Sequence, residues 1–328
     1  MIRLFPQHHR KSPSASAPPR LWSRNERAAW FALPIVTIVW GLSWPAMKVA
    51  LAYSGPFTFS AWRYALGTVV AFAWLVVTRA RMKPPPWYPT IIIGLSQTAA
   101  FQAMAEWALL RGGAGKTALL AYTMPFWVVG LAWWWLGERP RVQKILCIGV
   151  AAAGLVCVIQ PWQGVGDPLS DIVAIASGFC WAIGTVVSKR TFQRYRRVTP
   201  AQLTAWQMLI GTLGLLVLAF VIPERAVAWT PEYLTAILYT GVLSTGLGWV
   251  LWTLIVQRLP ANVAGLTSLG VPITGVLLSW ALLGERPSEF ETVGMVLIAA
   301  AILALNFVRD AARAHPSKHE PASPAADR

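Results

Sequence analysis

A series of apolar runs, each about as long as a membrane is thick, limits what this chain can fold into. Crossing the ~30 Å hydrocarbon layer takes about 20 mostly apolar residues in a helix. Ten stretches approach that length: Ala28–Ala52, Phe57–Thr78, Tyr88–Leu110, Gly115–Leu136, Val142–Ile159, Pro168–Lys189, Pro200–Ile222, Pro231–Gln257, Asn262–Leu283 and Glu291–Val308. The polar connections between them are short. Only 12% of residues are charged, about half the share of a soluble domain. The expected fold is an all-α integral membrane protein, because an unpaired backbone group in lipid costs several kcal/mol and helices pair their own.

A net charge of +15 would suit nucleic acid if it formed one patch, but it is dispersed. The bases gather in the amino-terminal tail and in alternate connections. Connections two, four and six hold Arg79, Arg81 and Lys83; Arg139, Arg141 and Lys144; and Arg190, Arg194, Arg196 and Arg197. Connection eight has Arg258 alone. Basic short loops stay cytoplasmic, which places both termini inside and the odd-numbered connections outside. The tails, 1–27 and 309–328, are rich in Pro, Ala, Ser and bases and read as disordered, lying against an anionic leaflet. A cleaved signal peptide is the competing reading of the amino end; the long basic stretch before Trp30 argues against it.

The pentapeptide LGERP occurs twice, at Leu136–Pro140 and Leu283–Pro287. Superimposing the copies also places Pro125 on Pro272. With small loop adjustments "WGLSWPAMK" (Trp40–Lys48) matches "WAIGTVVSK" (Trp181–Lys189), and "AWRYALG" (Ala61–Gly67) matches "AWQMLIG" (Ala205–Gly211). The chain therefore reads as two five-helix repeats, 28–160 and 168–308. Five is odd, so the second repeat enters the membrane from the opposite side. Charge follows the compartment: Arg141 and Lys144 trail the first LGERP, Glu289 and Glu291 the second. Inverted repeats are a mark of secondary transporters, whose substrate site lies near the midplane between the repeats.

The duplicated unit, the Trp-Gly…Lys of its first helix, the "YTMPFW" of its fourth and the Gly-Glu that follows resemble the EamA family of the drug/metabolite transporter superfamily. The resemblance covers 28–308. It implies ten helices, alternating access and transport of small metabolites, often export of amino acids. The second repeat departs from it, with Ala182 where the first has Gly41 and "SLGVP" where the first has "YTMP".

Several residues are candidates for the substrate pathway. Pro125 and Pro272 each free the carbonyl four residues earlier, at Ala121 and Ser268, and Tyr122 flanks the first. Such carbonyls suit a wet cavity, although a proline can also be a simple kink. Trp40, Trp44 and Lys48 share one helix face; so do Gly94, Thr98, Gln102 and Glu106; Arg63 and Gly67; Gln207, Gly211 and Gly214; and Gly241, Ser244, Gly248 and Trp252. The glycines suit close packing. Trp40, Trp44, Trp181 and Trp249 lie too deep for an interfacial belt and either pad the core or form an aromatic cage. Trp133, Trp134 and Trp135 read as an interface anchor.

Lys48, Arg63 and Glu106 are ionisable residues inside the outer part of the first repeat, which makes them functional candidates by default. The alternatives are a structural ion pair of Glu106 with Arg63 or Lys48, or charges reaching the outer surface. Glu106 is the candidate proton carrier, with substrate and proton competing for it. All four histidines are in the tails, no phosphate-binding glycine loop is present, and no nucleophile-base pair is visible. Neither cofactor nor metal is expected. The sequence points to a secondary transporter in the inner cell membrane, exporting a small amino-acid-like metabolite, with protons as a candidate coupling ion. Efflux of cationic or amphipathic drugs is the alternative, followed by a channel or membrane enzyme.

Overall fold

A computed structural model describes residues 24–314 apart from 113, 139, 141, 161–166, 261–263, 265–269 and 285. Among these residues every regular element is helical. In chain order they are α1 (Arg24–Ala50), α2 (Pro56–Val77), α3 (Trp87–Ile93), the π-helical segment π1 (Gly94–Ala100), α4 (Phe101–Arg111), α5 (Ala114–Ala121), α6 (Met124–Leu136), α7 (Val142–Ile159) and α8 (Pro168–Arg194). They continue as α9 (Pro200–Val221), α10 (Pro231–Leu238), π2 (Tyr239–Leu247), α11 (Gly248–Arg258), α12 (Gly270–Leu283) and α13 (Glu289–Ala314). Five runs among the described residues are long and apolar enough to cross a membrane: Ala28–Ala50, Pro56–Val77, Pro168–Arg194, Pro200–Val221 and Pro231–Arg258. Shorter apolar helices accompany them. Phe31, Val77 and Phe220 are 74%, 80% and 93% exposed, a surface that suits lipid rather than water.

Helix boundaries follow local chemistry. Proline opens α2, α8, α9 and α10, where its missing N–H costs nothing. Asp167, Thr199 and Thr230 cap the last three, and Thr199 forms a reciprocal capping box with Gln202. Each LGERP supplies a left-handed glycine, Gly137 at φ 69° and Gly284 at φ 73°, which ends α6 and α12 in the conformation glycine adopts most easily. The pentapeptide thus repeats a helix stop.

Three expectations change. The amino-terminal tail is helical from Arg24, and α13 runs beyond Val308 to Ala314; both extensions are rich in helix-forming Arg, Glu and Ala. The stretch Gly115–Leu136 is two helices, broken at Tyr122–Thr123. Pro125 sits in the first turn of α6, and just before it the chain tightens, the Thr123 N–H bonding to Leu120 O three residues back, because the proline ring clashes with the preceding turn. Gly178 makes the break possible to pack: a Cβ there would lie 2.6 Å from the Ala121 carbonyl.

The packing pairs elements of the two halves reciprocally. α2 lies against α9, and α7 against α13; α1 packs on α12 as α8 does on α6; α2 meets π2 as α9 meets π1. Glycines set both of the last contacts. A Cβ on Gly67 would lie 2.5 Å from the Thr245 methyl, and one on Gly211 2.3 Å from that of Thr98. The matched lysines also behave alike. Lys48 Nζ donates to the carbonyls of Leu109 (2.9 Å) and Gly112 (2.6 Å), capping α4. Lys189 Nζ donates to those of Val256 (3.2 Å) and Leu259 (2.7 Å), capping α11. A cation at a helix carboxyl end also meets the negative pole of its dipole.

These contacts sort the turns to two ends of the bundle. At one end Trp206 Nε1 donates to Met82 O at 3.0 Å, Lys189 reaches Leu259, and Arg190 stacks on Trp135 just before Gly137. At the other, Ser170 Oγ donates to Ala108 O at 3.1 Å and Gln160 Nε2 to Ser288 Oγ at 2.6 Å, just after Gly284. There Glu224 also accepts from the Phe57 and Thr58 amides (3.0 and 2.7 Å) at the start of α2.

Candidate functional site

Residues of α1, α2, α4, α8, π2, α11 and the α5–α6 break line a cavity of about 40 Å³, room for two or three waters. One wall is aromatic. The Trp181 ring lies 4.6 Å from Phe101, 4.9 Å from Trp249 and 5.4 Å from Trp40, centroid to centroid. Trp44 meets Tyr122 at 6.3 Å. Trp40 is held by its indole N–H, which donates to Ser244 O at 3.0 Å within π2.

The polar part of the lining centres on Arg63, 5% exposed. Its Nε donates to Thr245 Oγ1 at 2.8 Å, one terminal nitrogen to Glu106 Oε1 at 3.2 Å and the other to Ser244 Oγ at 3.4 Å. Ser43 Oγ donates to Ser244 Oγ at 2.6 Å, and Tyr64 OH to Gln102 Oε1 at 3.0 Å. Glu106 is fully buried and does not reach the cavity. It also accepts hydrogen bonds from Ser60 and Gln102, so it stands one bond behind the Arg63–Gln102 wall.

The π-helical segment explains how α4 presents these groups. Its wider turn shifts the phase of the helix, a device often found at functional sites. The expected single stripe is split there. Gly94 and Thr98 face α9, where Thr98 Oγ1 donates to Gln207 Oε1 at 3.0 Å, while Gln102 and Glu106 face α2.

Of the sequence candidates, Trp40, Trp44, Arg63, Gln102, Tyr122, Trp181 and Trp249 line the cavity. Lys48 caps α4, and Gln207 lies on a separate tight cleft with Thr253 and Trp252. Pro125 and Pro272 are buried but off the cavity wall, and Ser268 lies outside the described residues. Glu106 is sealed from water rather than solvated near the outer end, and Arg63, not Lys48, is its ion-pair partner. Ser43, Ser60, Tyr64, Phe101 and Thr245 join the site unannounced. Ser60 and Tyr64 had a signal: both lie within a helical turn of Arg63.

The second half holds an uncharged counterpart. Gln207 takes the place of Arg63, and Thr204 donates to Thr253 at 2.7 Å where Ser60 meets Glu106. Among the described residues the buried charges, Arg63 and Glu106, therefore belong to one half of the molecule.

The model of the EamA-like transporter family matches residues 28–160 and again 168–307. An uncharacterized transporter, YvbV, of Bacillus subtilis (strain 168) is 31% identical over 84% of this chain and 90% of its own length. A probable amino-acid metabolite efflux pump of Salmonella typhimurium (strain LT2) is 28% identical over 82% and 91%. A probable terminal-alkyne amino-acid exporter of Streptantibioticus cattleyicolor is 27% identical over 85% and 93%. A crystal structure 20% identical in sequence superimposes with a TM-score of 0.72 over 87% of this chain and 99% of its own, a likeness of fold.

Proposed function

The chain belongs to the EamA-like transporter family, and we propose that it exports an amino-acid-like metabolite across the inner cell membrane by alternating access. The observation that carries this reading is the cavity, where one buried guanidinium faces an aromatic wall. Arg63 offers a forked donor set suited to a carboxylate, and the tryptophans offer stacking surface for the rest of the substrate. Glu106 governs that donor set. Ionised, it holds Arg63 in an ion pair; protonated, it releases the guanidinium to an acidic group of the substrate. Substrate and proton therefore communicate through Arg63, not by direct competition for Glu106. A cationic drug would meet Arg63 on the wall with Glu106 behind it, which favours the amino-acid reading over drug efflux. The names of two relatives, an amino-acid metabolite efflux pump and an amino-acid exporter, point the same way.

Transport by the purified protein in liposomes tests this. Labelled amino acid is expected to enter liposomes loaded with the same unlabelled compound, saturably, and to be competed by the parent acid but not by its amide. The amide lacks the carboxylate that Arg63 would hold. Equal competition by the amide, or no counterflow with any amino acid, overturns the reading.

The same proposal takes the chain as ten spans in two inverted repeats with cytoplasmic termini. Reciprocal packing of the halves and the two glycine stops at opposite ends of the bundle support it. The collapsed cleft around Gln207 and Thr253 is then the inward counterpart of the cavity, opening as the outer half closes. In a background lacking Cys147, Cys157 and Cys180, Gln143→Cys should react with an impermeant thiol reagent only from inside and Ser288→Cys only from outside. Reaction of both from one side rules out the inversion.

A further inference from the structure

The end of the bundle that carries connections two and six holds a second recess, of about 370 Å³, between α3, α6 and α8. We propose that it binds the phosphate of an anionic phospholipid. Arg190 and Arg194 stand one turn apart on α8 and both line it. Each is braced by an aromatic ring: Arg190 lies 5.4 Å from the Trp135 centroid and Arg194 5.8 Å from that of Tyr195. Stacking occupies a face of the guanidinium and leaves its N–H edge to bind oxygen anions bidentately. Among the described residues no carboxylate lies within 4 Å of either group; the ion pairs found there are Arg63–Glu106 and Arg111–Asp167. The recess is thus basic, unlike the balanced charge at Arg63, and the described carboxylate at this end, Glu138, acts on the neighbouring Lys189.

Its other wall is apolar, formed by Ile92 and Val187 a turn deeper along α3 and α8. Tyr88 and Trp135, 80% and 42% exposed, stand at its rim, and such rings mark the headgroup level of a bilayer. A polar head beside an apolar wall matches the two parts of a phospholipid. A free phosphate would have no use for the apolar part. Basic pockets between helices at the cytoplasmic face recognise anionic headgroups in this way. The charge of the ligand follows from the two arginines and its amphipathic shape from the wall. Nothing in this assignment depends on what the central cavity carries.

The test uses the full-length protein in detergent, titrated with phosphatidylglycerol or phosphatidylcholine and read by mass spectrometry of the intact complexes. Wild type is expected to retain phosphatidylglycerol in preference to phosphatidylcholine. The pair Arg190→Gln/Arg194→Gln should lower that preference about 30-fold, at roughly fivefold per base near an anionic surface. A control pair, Arg196→Gln/Arg197→Gln, removes the same charge from the adjacent turn outside the recess and should keep most of the preference. Both pairs alter exposed side chains, and a melting curve of each confirms that it is folded. Should the control lose as much as the test pair, the effect is general charge and the site is absent. Full preference in the Arg190/Arg194 variant also overturns the proposal. An arm with inorganic phosphate separates the remaining source: if phosphate alone binds and displaces the lipid, the recess is a free-anion site.

Discussion

Glu106→Gln is expected to abolish transport driven by a pH gradient while leaving substrate exchange near the wild-type rate. Glutamine has the shape of glutamate; its carbonyl can still accept from Arg63 while its amide group donates to the Ser60 hydroxyl, but it can neither take up nor release a proton. Glu106 has few rivals for that role. The other described carboxylates lie in connections or in the terminal turns of helices, and the histidines are all in the tails. At 0% exposure its proton must come by way of the cavity wall, so uptake and release depend on the conformations that open it. Exchange requires no net proton movement, and the variant resembles the protonated state in which Arg63 is available to substrate. Measuring both modes in one proteoliposome preparation separates coupling from folding. A Gln variant with undiminished pH-driven transport would place the proton route elsewhere.

Arg63→Met should be the most damaging single change to stability. It removes the ion-pair partner of a carboxylate that has no access to water. Breaking a buried pair from one side typically costs about 3–5 kcal/mol, because an uncompensated charge remains. The double variant Arg63→Met/Glu106→Leu leaves no such charge and is expected to recover most of the loss, since apolar replacements of a whole pair are often neutral. Neither variant should transport. Thermal unfolding in detergent distinguishes them: a large drop for the single variant and near-recovery for the double. A single variant as stable as wild type would mean that Glu106 is neutral in the resting protein.

The candidate site was partly legible in one dimension. Deep tryptophans, an intramembrane Arg–Glu combination and a glutamine one turn before Glu106 all pointed to a cavity. What was not legible was depth and direction. The π-helical segment turns Gln102 and Glu106 away from the face of Gly94 and Thr98, and nothing in a four-residue step announces a wider turn. Pro125 was visible as an irregularity, but its consequence, a turn at Tyr122–Thr123 with Tyr122 on the cavity, depended on Gly178 allowing α8 to approach. The matched Lys48 and Lys189 were equally visible; their job as helix caps required knowing which carbonyls lay opposite.

The sequence by itself determined the quantities that add along the chain. Apolar length marked the long helices, and the LGERP copies, each a helix stop, marked the duplication. Each is local, since a helix in lipid satisfies its own backbone and a glycine ends it wherever the next turn must be left-handed. Tertiary structure alone decided which side chains meet across the halves. Trp40 donates to Ser244 over a separation of 204 residues, and Arg63 to Thr245 over 182. Such contacts depend on the rotational phase of each helix and on how near its glycines let a neighbour come. Phase errors of one residue swing a side chain by about 100°, which is the difference between a charge in the cavity and one sealed behind its wall.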